Sequence, residues 1–160
     1  MDSELVTWLE KNGIKYQLHT HPAVFTAAEA KIHCGHIPGL HCKNLFLKEK
    51  SEDNYFLVTI PADQRLDIKL LKNKLNSAHL TFANEEDLEK YLGLTKGAVS
   101  PLGLVNDIRN KVTYIIEKTV WESEKVTFHP NINTETLELS QDSFHLFVNK
   151  VGNKKIVLDI

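Results

Sequence analysis

The chain has 160 residues, 42% of them hydrophobic, which is the size and composition of one domain with a substantial core. Its 19 Lys and Arg nearly balance 21 Asp and Glu, for a formal charge of −2, so it is not a protein that coats nucleic acid through an overall basic surface. No stretch approaches the ~20 apolar residues of a membrane helix and no basic leader precedes an apolar run; a soluble, cytoplasmic protein with reduced thiols is expected.

Ser3 is placed to cap a first helix in which Leu5, Trp8 and Leu9 recur at helical spacing, and Gly13 stands where such a helix ends. Residues 15–20 alternate like a strand. Thr26-Ala27-Ala28-Glu29 reads as a capping box that opens a short helix ending near Gly35. Leu45–Lys48 and Tyr55–Ile60 are β-prone runs on either side of a polar turn, a hairpin signal, and Pro61 closes the second. Asp67 caps a helix through Lys74, Leu80–Ala83 is a short strand, and Asn84 with Asp87 opens a helix that Gly93 ends. After the loop GAVSPLGLVND come strands at Val112–Glu117, Lys125–His129 and Thr134–Leu139, a helix capped by Ser140, and a last strand at Lys155–Leu158. Helices and strands are interspersed, yet several strands follow one another directly. The expected fold is therefore α+β, a single domain over residues 1–160 with a mixed, largely antiparallel sheet flanked by helices.

His33, Cys34, His36, His41 and Cys42 place five zinc-type ligands within ten residues. The spacing disfavours a metal: there is no C-x-x-C, no second pair at a distance, and neighbours such as His41 and Cys42 point to opposite sides of a strand. Neither metal nor cofactor is expected. Lys43 is the unusual member of this stretch, because it heads an apolar strand rather than a solvated helix. There it is a nucleophile, a base, a fixed cation or a snorkelling lysine. Gly97, Ala98, Val99, Ser100 and Pro101 form a rigid loop of small residues with exposed backbone groups, suited to holding a small ligand or an oxyanion, or to an ordinary turn. His129, before Pro130 at a strand end, is the third candidate. The chain lacks G-x-S-x-G, S-x-x-K, G-x-x-x-x-G-K-[ST] and H-E-x-x-H, so the common hydrolase, nucleotide and metalloprotease readings lose support.

HPAVFTAAEA, GLHCKNLFLK, TIPAD, KGAVSPLGLVND and VTFHPNINTET occur in this order across nearly the whole chain. Together they resemble the YbaK/prolyl-tRNA synthetase-associated domain family, free-standing aminoacyl-tRNA deacylases related to the editing domain inserted in bacterial prolyl-tRNA synthetases. KNLFL, GAVSPLG and FHPN are most similar to the branch that clears alanine from proline tRNA. The resemblance implies catalytic roles for Lys43 and its neighbour Asn44. It implies substrate contacts for Thr26, for Gly97, Ala98, Val99, Ser100 and Pro101, and for Phe128 and His129 on the pocket wall. Cys42 departs from the small hydroxyl residue expected there.

The implied partners are the acceptor end of aminoacylated tRNA(Pro) and prolyl-tRNA synthetase, with no DNA and no membrane. The implied reaction is hydrolysis of an aminoacyl ester, which needs a held substrate, an oriented water and oxyanion stabilisation rather than a triad. The alternatives are a deacylase of another small aminoacyl group, such as Cys-tRNA(Pro), and a non-catalytic tRNA or amino-acid sensor.

Overall fold

A computed structural model describes residues 1–51 and 53–160. The chain runs α1 (Ser3–Lys11), β1 (Gln17–Thr20), α2 (Ala27–Cys34), β2 (Leu40–Glu49), β3 (Tyr55–Pro61), α3 (Ile68–Leu75), β4 (Leu80–Phe82) and α4 (Glu85–Leu92). A 3-10 helix (Pro101–Asn106) leads to β5 (Val112–Glu117), α5 (Lys118–Glu122), β6 (Lys125–Phe128), β7 (Glu135–Ser140), α6 (Gln141–Lys150) and β8 (Lys155–Leu158). No described helix is long and apolar enough to cross a membrane.

Most helix starts follow the local chemistry of the sequence. The side chains of Thr26, Asp67, Asn84 and Ser140 accept from the backbone N–H three residues on, satisfying donors that the first helical turn leaves orphaned. The first helix departs from expectation by one residue. Asp2, not Ser3, is its cap, accepting from Leu5 N–H at 2.8 Å, and its carboxylate also suits the positive end of the helix. Gly93 ends α4 in the left-handed conformation at φ +65°, as its sequence position predicts.

The eight strands form one mixed sheet in the order β1-β7-β6-β2-β3-β5-β8, with β4 also paired to β2. β1 with β7, β2 with β3 and β4, and β6 with β7 are antiparallel; β2 with β6, β3 with β5, and β5 with β8 are parallel. The organising element is β2, longer than the Leu45–Lys48 run suggests because it serves both halves of the sheet. β3 occupies one of its edges from Cys42 to Lys48. β6 and β4 share the other edge, β6 at Leu40 and His41 and β4 at Leu47 to Glu49, with Ala83 N–H also bonded to Phe46 O. Between them, residues 42–45 have no strand partner on that edge among the described residues.

Alternation then sorts β2 between two cores. Phe46, with Leu40 and Cys42 partly buried, joins the large cluster that includes Leu57, Tyr114, Ile116, Phe128, Phe144 and Phe147. Leu47, with Leu45 partly buried, joins the smaller cluster of Val58, Ile60, Leu71 and Ile115, which includes Leu71 of α3. Each fully buried Leu or Phe contributes about 1.5–3 kcal/mol of transfer free energy, so these clusters fix which side of β2 each residue faces. Val24, Cys34 and Ile37 form a third, small cluster from α2 and its flanks.

Candidate active site

The open stretch of β2 is where Lys43 and Asn44 fall, and they face opposite ways. Asn44 shares the face of Cys42 and Phe46; Lys43 shares that of His41 and Leu45 and stands opposite Ile60 in the ladder. Lys43 is half-buried, and among the described residues it has no ion-pair partner. An amine in this position is a cation left available to a ligand.

On the Asn44 side, the side-chain amide donates to Val99 O at 3.4 Å and accepts from Thr59 Oγ1 at 2.5 Å. Thr59 Oγ1 is also 2.8 Å from the Tyr114 hydroxyl. Asn44 and the 97–101 loop are thus brought together. Val99, Asn44, Leu45, Phe46, Phe82, Ala83 and Lys96 line a cleft of about 570 Å³ along this edge.

The loop's shape follows from its residues. Gly97 takes φ +92°, which only glycine adopts freely. Ala98 N–H bonds to Thr95 O, and Ala98 and Ser100 are buried, anchoring the loop. Ser100 Oγ accepts from Leu102 N–H at 3.2 Å and so caps the 3-10 helix that Pro101 opens. Gly97 and Val99 carry N–H groups with no backbone acceptor among the described residues.

On the Lys43 side, β6 runs parallel to β2 with His41 beside Thr127, so the alternation that places Val126 and Phe128 in the large core turns Thr127 toward the face of His41 and Lys43, and His129 follows the last residue of that strand. His129 Nδ1 lies 3.0 Å from Glu135 O. A carbonyl only accepts, so Nδ1 carries the proton and Nε2 presents a lone pair. Burial, with a smaller contribution from the charge of nearby His21, holds the His129 imidazole below the ordinary histidine range, opposed by the Glu135 bond. The His21 and His129 rings are 6.1 Å apart.

Phe128 is placed differently from the expected pocket wall. It is 2% exposed and packs against Phe144 at 5.2 Å, in the core behind His129. Thr26 is exposed, and its hydroxyl is engaged by Glu29 N–H at 3.1 Å as the cap of α2. Ala27 and Ala30 of that helix, with His41 and Ala62, line a second cleft of about 340 Å³.

Cys34, His41 and Cys42 of the His/Cys cluster are engaged in the scaffold. Cys34, the last residue of α2, is buried in the small cluster with Val24 and Ile37, His41 Nε2 bonds to Ile37 O at 2.9 Å, and Cys42 Sγ points to Leu40 O at 3.4 Å. Burial pushes the Cys42 thiol up to about 12 and raises that of Cys34. Among the described residues no three His, Cys, Asp or Glu side chains converge as metal ligands. The residues missed from the sequence are Thr59 and Tyr114, which there are indistinguishable from ordinary β-prone residues.

The pattern of aminoacyl-tRNA editing domains matches residues 21–146, a span that includes every site residue named above. The chain belongs to the aminoacyl-tRNA editing domain family. A prolyl-tRNA editing protein from Acetoanaerobium sticklandii is 37% identical over 150 residues, covering 93% of this chain and 91% of its own. A prolyl-tRNA synthetase associated domain-containing protein from Mus musculus is 36% identical over 165 residues, covering 98% and 97%. The solved structure of a candidate trans-editing enzyme for prolyl-tRNA synthetase superposes with a TM-score of 0.73 over 100% of this chain and 99% of its own. At 17% identity that likeness concerns the fold.

Proposed function

We infer that residues 1–160 form one trans-editing domain that hydrolyses the ester of mischarged tRNA(Pro), with alanine as the aminoacyl group. The observation that carries this reading is the open edge of β2 at Lys43 and Asn44, faced by the Gly97–Pro101 loop, in a chain of the editing family. The ester joining an amino acid to the terminal ribose is already reactive, so the domain needs to hold it, admit water and stabilise the oxyanion.

Lys43 supplies the fixed positive charge near the ester carbonyl and the terminal nucleotide. The loop's backbone groups grip the aminoacyl moiety, and the N–H groups of Gly97 and Val99 are its available donors. His129 Nε2, an acceptor by tautomer, accepts from the substrate's α-amino group or from water. Water adds to the carbonyl carbon, the tetrahedral intermediate collapses with the ribose oxygen leaving, and the free ribose hydroxyl next to the ester assists proton transfer. The products are the free amino acid and uncharged tRNA.

Selectivity rests on size. A pocket that fits a methyl group excludes a pyrrolidine ring by clash, whereas a larger pocket rejects a smaller side chain by only about 1–3 kcal/mol per methylene. Without Phe128 on the wall, His129 is the bulky side chain left to set that limit. The partners are the tRNA acceptor end and prolyl-tRNA synthetase, in the cytoplasm. The test is deacylation of Ala-, Cys- and Pro-tRNA(Pro): alanine should be released fastest and proline spared. Equal release of proline refutes the size argument, and preferred release of cysteine reassigns the substrate.

A further inference from the structure

We propose that Thr59 and Tyr114 are positioning residues: they fix the orientation of the Asn44 amide and, through it, hold the 97–101 loop against the open edge of β2. Only the activity readout below rests on the deacylase reading; the geometry does not.

Thr59 and Tyr114 are both fully buried, on β3 and β5, beside Leu57 and Ile116 of the large core. Valine and phenylalanine would fill the same space without hydroxyls, and buried hydroxyls are costly unless bonded. Here they are bonded in one sequence across three adjacent strands, Tyr114 to Thr59 at 2.8 Å and Thr59 to Asn44 at 2.5 Å.

The direction of that sequence is determined. Asn44 Oδ1 has no proton, so the single hydroxyl proton of Thr59 goes to it, and the Thr59 oxygen accepts from Tyr114. Burial raises the Tyr114 phenol well above the ordinary tyrosine range, so it remains a donor throughout. Asn44 Nδ2 is thereby turned toward the loop. One of its protons meets Val99 O at 3.4 Å, and the other has no acceptor among the described residues and is available to the cleft that Asn44 and Val99 both line. The reversed amide would set Oδ1 against the Val99 carbonyl, acceptor against acceptor. The relay therefore does two things: it ties the loop to the strand and keeps a donor pointed at the bound ester.

Thr59→Val keeps the shape and removes the proton; Thr59→Ser keeps the proton. Expected for Thr59→Val are a fall in kcat of about tenfold to a hundredfold with KM little changed, a shifted Asn44 side-chain amide resonance, and faster hydrogen exchange at Gly97 to Ser100. Thr59→Ser should restore all three. Tyr114→Phe should move the same resonance and exchange rates less, since Thr59 retains its proton; it carries the test if Thr59→Val fails to fold. A lowered melting temperature with kcat, the Asn44 resonance and loop exchange unchanged overturns the proposal. A wild type that cleaves no aminoacyl-tRNA while Thr59→Val still shifts the resonance and the exchange sinks the deacylase reading and leaves the positioning role standing.

Discussion

Gly97→Ala separates what the loop does for stability from what it does for the reaction. An added Cβ at Gly97 meets no atom within 4 Å, so packing contributes nothing and the whole effect is conformational. At φ +92° an alanine is strained by about 1–3 kcal/mol. In a domain of this size each kcal/mol lowers the melting temperature by about 2–4 °C. The loop can relieve the strain by rotating the peptides around residue 97, which limits the loss of stability but swings the Gly97 N–H and displaces Val99 from Asn44. The expected result is a melting temperature lowered by about 2–6 °C together with a fall in kcat/KM of at least about tenfold, far more than the unfolded fraction explains. Gly103→Ala is the contrast. Its Cβ would sit 2.7 Å from Leu94 Cδ1 and 3.1 Å from Leu92 O, so overpacking of about 1–3 kcal/mol should lower stability while the folded fraction keeps its activity. Both readouts are available from a thermal melt and a single-turnover deacylation assay. Gly97→Ala with unchanged turnover refutes the claim that the loop's backbone geometry serves the reaction.

The two thiols should resist a maleimide in the native protein at neutral pH and react on unfolding, because Cys42 is pushed up to about 12 and Cys34 is 3% exposed. Fast native labelling of Cys42 would contradict its packing. For His129, the folded state holds the imidazole below its ordinary value of 6.5, so the unfolded chain takes up a proton first as the pH falls. This group therefore leaves stability intact above that value and erodes it as the pH drops toward the folded pKa. Melting temperatures measured from neutral to mildly acidic pH should fall less steeply in His129→Gln than in the wild type, and equal slopes would argue against a buried neutral imidazole.

Elements announced by local chemistry were legible in the sequence: the side-chain caps at Thr26, Asp67, Asn84 and Ser140, and the β-prone runs from Tyr55 and Val112. What escaped depends on distant partners. Leu40 and His41 extend β2 because β6, some 85 residues on, is there to pair with them. Pro101–Asn106 read as loop because Pro and Gly are turn residues, yet Ser100 caps a 3-10 helix there, and α5 is too short to show a period. At the site, Lys43 and the glycine-hinged loop were visible as residue types in unusual settings, whereas Asn44 entered only through the family resemblance. Phe128 lies in the core because of the side of β6 it occupies, which the sequence alone does not specify. Thr59 and Tyr114 acquire meaning only when Asn44 is set across the sheet from them.

The central claim is that Lys43 serves the reaction and not the fold. It has no ion-pair partner among the described residues and its strand is held by β3 from Cys42 to Lys48. The most direct measurement is deacylation of Ala-tRNA(Pro) by the wild type and by Lys43→Ala, each with a thermal melt. The account predicts wild-type release of alanine, a loss of at least about a hundredfold in the variant from removing a charge that stabilises the transition state, and matching melting temperatures. A folded Lys43→Ala protein that turns over at the wild-type rate would contradict it.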